Sequence, residues 1–216
     1  MKHRRLINNL VKPWEQLNVL LSKPFALQPE DCDYLVKIEA LCVAVSHYPE
    51  QLGIKRKDVD NASDANKQVT DIADASKHKE LSSDARNNYS RISCDFELRE
   101  NNENEDNIEF RFLRNTITAY HNTYGEIDVM LTLRDAIKYL LNLEKVEIPK
   151  FGNIVEGLGE FLPKVYLEYD GSLGVVMNDF QIRFKTKNSD GVYIMGDPPN
   201  GWSFTLRDLS KSNKRV

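Results

Sequence analysis

Cysteine is scarce in this 216-residue sequence: Cys32, Cys42 and Cys94 are the three present, and no two form a C-x-x-C pair. An odd number without that spacing excludes a disulfide framework and a zinc ribbon. If Cys32 and Cys42 share one helix they stand ~15 Å apart along its axis, beyond disulfide reach. The expectation is reduced thiols in a cytoplasmic protein. Long apolar runs are lacking too. Nothing approaches the roughly 18 consecutive apolar residues of a membrane span, so no membrane partner is expected. The basic start is followed by "INNLVKPWEQ", which lacks the apolar core of a signal peptide. Histidine occurs four times and never in a ligand cluster, and "EGLGEF" at 156–161 lacks the spacing and the Lys-Ser/Thr of a phosphate loop. Neither a metal nor another cofactor is expected.

What is present describes a folded protein. Hydrophobic residues make up 41%, with nine Tyr and nine Phe, which is too much apolar material for a disordered chain. The formal net charge of -4 repels a phosphate backbone overall, so any nucleic-acid contact must be local. Basic residues gather at both ends, Lys2, His3, Arg4 and Arg5 first and Lys211, Lys214 and Arg215 last. They read as solvated tails.

The periodicity changes along the chain. Pro13 followed by Leu17, Leu20 and Leu21 predicts a first helix over 13–23. Residues 29–50 carry acidic groups in the first turn, then Leu35, Ile38, Leu41, Cys42 and Val45 at helical spacing, and the helix is expected to stop before Pro49. His47 reads as a cap near its end. No aromatic residue lies between Tyr48 and Tyr89. Over 58–81, Ala62, Ala65, Val69, Ile72 and Ala73 permit a thinly apolar helix or a polar linker. "FELRENNENEDNIEF", 96–110, reads as an exposed acidic loop without calcium-loop spacing. A strong helix is expected over 126–144. Beyond Pro149 the pattern alternates: 164–171, 173–179, 180–186, 192–196 and 202–208 read as short strands between "DGS", "NSDG" and "DPPNG" turns. The expected fold class is α+β, with a mainly helical region over 1–150, a small antiparallel meander over 151–210 and a basic tail at 211–216. Within the first region, 55–107 is the polar segment.

One stretch suggests chemistry. Taken as a helix, 108–121 places Phe110, Phe112, Leu113, Ile117 and Tyr120 on one half and Arg111, Arg114, Asn115, Thr118 and His121 on the other. Arg114 and His121 would then lie ~10.5 Å apart along the axis. An arginine can stabilise charge developing on a phosphorane, and a histidine can move the proton of a 2'-hydroxyl or leaving group. The bland alternative is the wet side of a core helix.

"LRNTITAYHNTYGEID" resembles the Arg-Asn...His signature of the HEPN superfamily, in which Arg and His are separated by four to six residues and a polar residue follows the Arg. Arg114, Asn115 and His121 fit that pattern at its longest spacing. The resemblance, which covers about residues 105–145, implies a helical, metal-independent ribonuclease or RNA-binding module of a toxin or phage-defence system, acting as a homodimer. Arg114 would clamp phosphate, His121 would be the general acid/base and Asn115 would orient them.

Other patterns are weaker. A PD-(D/E)xK nuclease would need a carboxylate where "QIRFK" has Gln181 before Lys185, although Asp170 and Asp179 are present. Trp202 in "GDPPNGW" alternates with Phe204 and Leu206 as core. Arg183, Lys185 and Lys187 form a period-two basic stripe, read as a solvated face. The leading expectation is an accessory or interaction subunit with a protein partner and no readable catalytic centre.

Overall fold

Pro13 shapes the first helical stretch. Helix α1 (Arg4–Leu6) passes into a π-turn at Ile7–Val11 and continues as α2 (Lys12–Leu21). Proline has no N–H for the carbonyl four residues back, and the wider turn ahead of it, where the Lys12 N–H reaches the Ile7 carbonyl, accommodates that gap. In this computed structural model the described residues are 3–23, 30–77, 89–101, 109–158, 165–169, 181–190, 193–196 and 204–208. The expected strand at 173–179, Asp170, Asp179, Trp202 and the 211–216 tail lie outside them.

Helix α3 (Glu30–Gln51) does not stop before Pro49; it runs one residue pair beyond it. A proline so near the C-terminal end disturbs a single helical bond. The helix is closed by Gly53 at φ +74°, with the Leu52 and Ile54 N–H groups returning to the Pro49 carbonyl. The polar segment after it is helical through Lys77. Helices α4 (Arg56–Ala62) and α5 (Asp64–Lys77) bury Val59, Val69, Ile72 and Ala73, and the Ser63 hydroxyl caps α5 by accepting from the Asn66 N–H.

Two expectations are corrected next. The segment read as an acidic loop holds part of strand β1 (Tyr89–Asn101), and the helix expected over 108–121 is strand β2 (Glu109–His121). Between Leu113 and Ala119 every β2 residue is buried, so the strand lacks the alternation that would reveal it. Thr116, Ile117 and Thr118 supply the β-branched run that favours extended backbone. Strand β3 (Gly125–Asp128) follows, and Asp128 caps helix α6 (Val129–Leu143) by accepting from the Leu131 N–H. Strands β4 (Val165–Tyr169), β5 (Gln181–Lys187), β6 (Tyr193–Gly196) and β7 (Phe204–Asp208) complete the described elements.

The fold class is α+β, but the sheet is mixed rather than an antiparallel meander. Five strands take the order β3-β2-β1-β5-β6 and two more pair as β4-β7. β5 runs parallel to β1 with Asp95 opposite Gln181, whereas β3 and β6 run antiparallel to β2 and β5. β4 and β7 are parallel to each other. Strands are interleaved with helices along the chain.

The chain clusters into two compact units, each discontinuous in sequence. The first holds 1–20, 34–92 and 117–154 and is mainly helical. Its core packs Leu6, Leu10, Ile38, Val45, Ile72, Leu133 and Ile137, with Trp14 Nε1 donating to the Met130 carbonyl at 2.8 Å. The second holds 21–33, 93–116 and 155–216. There Phe96 packs against Phe112 at a tilt, and Phe110 meets Phe184 edge-on.

Candidate functional site

β2 carries all three residues singled out by the signature, and each is placed differently. His121 ends the strand inside the helical unit, its side chain 0% exposed. Its Nδ1 accepts from the Thr123 and Tyr124 backbone N–H groups at 3.1 and 3.3 Å. That fixes the tautomer: the proton sits on Nε2, which donates to Asp71 Oδ2 at 3.0 Å. The ring also packs on Tyr124, whose hydroxyl meets Asp64. Both nitrogens are committed to holding the β2–β3 turn onto α5.

Asn115 and Arg114 belong to the sheet unit. Asn115 Nδ2 donates to the Lys23 carbonyl at 2.9 Å, so the amide ties residues 22–23 to the strand. Arg114 is 4% exposed, and its Nε donates to the Asn115 carbonyl at 3.3 Å. Along a regular strand, residues an odd number apart point to opposite faces, which separates Arg114 from His121 by side as well as by ~23 Å of rise. Arg114 and Asn115 likewise face opposite ways. The helical groove imagined for these groups is therefore replaced by two sides of a strand.

A charged ladder runs across β1 and β5, and it is a feature the sequence reading missed. Asp95, fully buried, pairs with Arg183, and Glu97 lies 3.1 Å from Lys185 Nζ. The basic stripe is thus not a solvated face: two of its members answer carboxylates on the neighbouring parallel strand. Glu156 adds a second arrangement by meeting Arg99 at 3.5 Å and Arg111 at 3.3 Å. The alternation F-E-L-R in 96–99 was the available signal, with its cationic partners far downstream. All of these carboxylates are occupied by cations, and among the described residues no group of three His, Cys, Asp or Glu is arranged to hold a metal.

The chain matches no family model, no curated protein and no solved structure. Its site must be read from its own geometry.

One opening lies in the helical unit. A groove of about 860 Å³ runs between α2 and α3, lined by Leu17, Val19, Leu20, Ala40, Leu41 and Ala44, with Lys12 on one wall and Lys37 on the other. Val19 remains 49% exposed at this groove, and Val36, on the same helix as Lys37, 64%. The apolar lining with Val19 exposed at it makes this groove the candidate site. Cys42, which follows the lining residue Leu41 on α3, is fully buried, and burial pushes its thiol well above the ordinary range. Among the described residues no helix is long and apolar enough to cross a membrane.

Proposed function

We propose that this chain is an interaction subunit of a larger assembly, and that the groove between α2 and α3 receives a segment of its protein partner. The carrying observation is the apolar lining of that groove with Val19 half exposed at its rim. An amphipathic helix laid between two helices buries such a surface by placing its own apolar stripe there. Lys12, Glu15 and Lys37 stand among the lining residues, a mixed edge with one cation in excess that favours a partner stripe carrying acidic residues opposite the lysines.

The ribonuclease alternative draws on the Arg114, Asn115 and His121 pattern and is supported less well. Proton transfer needs a histidine nitrogen within reach of substrate, whereas both of these are engaged and the ring is fully buried. A homodimeric RNA-cleaving module also needs the arginine and histidine to converge, and β2 directs them apart.

The test is affinity purification of the full chain, in wild-type form and with Val19→Glu and Ala40→Glu, both at solvent-exposed positions. A partner held by the wild type and lost by the folded groove variants is expected, with loss of at least about tenfold in affinity for a buried charge. Equal retention of that partner removes the groove reading. RNA cleavage by the purified chain in EDTA, lost in His121→Ala that circular dichroism shows to be folded, would install the ribonuclease reading in its place.

A further inference from the structure

Among the described residues Arg114 is a cation without a counter-ion. It is 4% exposed, has no ion pair among them, and its Nε donates to the carbonyl of its own neighbour, Asn115. Its Nη2 is buried with no hydrogen-bond partner. Two residues on, Thr116 is equally buried and its Oγ1 also lacks a partner. Residues i and i+2 of a strand stand on one face, ~6.6 Å apart, so the two orphaned groups share a side of β2. A guanidinium and a hydroxyl withdrawn from water together, with nothing to bond, is an arrangement a folded chain avoids unless a third group completes it.

The obvious protein anion is engaged elsewhere. The Gly157 N–H bonds the Leu113 carbonyl at 2.6 Å, which brings the 155–157 segment against this stretch of β2. The Glu156 carboxylate, however, goes to Arg99 and Arg111. The chemistry of the missing group follows from which nitrogen is free. A planar carboxylate binds arginine best through the Nε/Nη2 fork, and Nε here is already donating. One Nη2 donor and one hydroxyl, offset along the strand, instead suit separate oxygens of a tetrahedral ion.

We propose that Arg114 Nη2 and Thr116 Oγ1 form a subsite for a phosphate-sized tetrahedral oxyanion, as the free ion or as a monoester. The subsite is independent of the α2–α3 groove and of any partner bound there.

The test is calorimetric titration of the full chain with inorganic phosphate at constant ionic strength, beside sodium acetate. Wild type is expected to bind phosphate saturably and acetate weakly. Thr116→Val, nearly the same shape, removes one hydrogen bond and should weaken phosphate about tenfold; Arg114→Met should weaken it by about a hundredfold or more. Circular dichroism checks both variants, and Thr116→Val carries the test if Arg114→Met does not fold. No saturable phosphate binding by wild type overturns the proposal, as does unchanged affinity in folded Thr116→Val. Acetate binding without phosphate binding overturns the tetrahedral assignment. Methyl phosphate in a parallel titration separates the sources: tighter binding than inorganic phosphate assigns the ester, weaker binding the free ion.

Discussion

His121 Nε2 stands 3.0 Å from Asp71 Oδ2, a part-buried contact that fastens the end of β2 to helix α5. With Nδ1 accepting from two backbone N–H groups, one ring bonds three polar partners. His121→Ala is therefore expected to lower stability by about 2–4 kcal/mol, and Asp71→Asn by about 1 kcal/mol. Urea unfolding of each variant measures this. An unchanged midpoint for His121→Ala would mean that the turn is held by something else.

The Asp95–Arg183 pair is the second test of what buried charge does here. Removing one partner leaves the other ion uncompensated in the sheet, and Arg183→Met alone should cost about 3–5 kcal/mol. The double substitution Asp95→Leu with Arg183→Met should recover most of that loss. A double variant no more stable than Arg183→Met would show that Asp95 has a separate role.

Asp60 gives a pH-dependent prediction. Burial raises its carboxyl above the usual range, against the Thr70 hydroxyl and Arg56, which pull it down. The folded chain then holds this proton more tightly than the unfolded chain, so the contribution is favourable at low pH and is lost as pH rises through the raised value. Asp60→Asn keeps an acceptor for Thr70 and removes that dependence. Its melting temperature should exceed wild type at neutral pH, and the gap should shrink as pH falls into the usual carboxylate range.

Gly157 should not tolerate a side chain. A Cβ there would lie 2.9 Å from Phe112 Cδ1 and 3.1 Å from the Ser22 carbonyl oxygen, and a backbone oxygen cannot swing aside. Gly157→Ala is expected to lift the 155–157 segment from β2 at a cost of about 1–3 kcal/mol. Hydrogen exchange at the residue 157 amide, which bonds the Leu113 carbonyl, should accelerate; unchanged protection would contradict the packing.

Elements whose signals are local were legible in the sequence. The helix expected over 126–144 is α6 at Val129–Leu143, with Met130, Ile137, Leu140 and Leu141 buried as their spacing implies, but its start lies three residues later because 126–128 belong to β3 and Asp128 is the cap. β2 was misread because its burial on both faces erases alternation, and Phe110, Leu113 and Ile117 then mimic a helical stripe. β1 was misread because its carboxylates are matched by cations that lie far away in sequence, which no short window contains. The candidate residues themselves were easy to pick out. Their surroundings were not, since the Lys23 carbonyl at Asn115 and Asp71 at His121 are tertiary contacts.

The parallel pairing of β1 with β5 also sets an order of events for a chain emerging from the ribosome. Asp95 and Arg183 are 88 residues apart, so one side of β1 has no partner strand until almost all the intervening chain has been made. Contacts of such long range form late and slowly. During that interval the exposed side of β1 would be open to pairing with another nascent chain. The residues alternating with Phe96 and Leu98 are Asp95, Glu97 and Arg99, so a wrong neighbour would have to strip water from three charges without offering their partners. The ladder that closes the finished sheet thereby also guards the unfinished one.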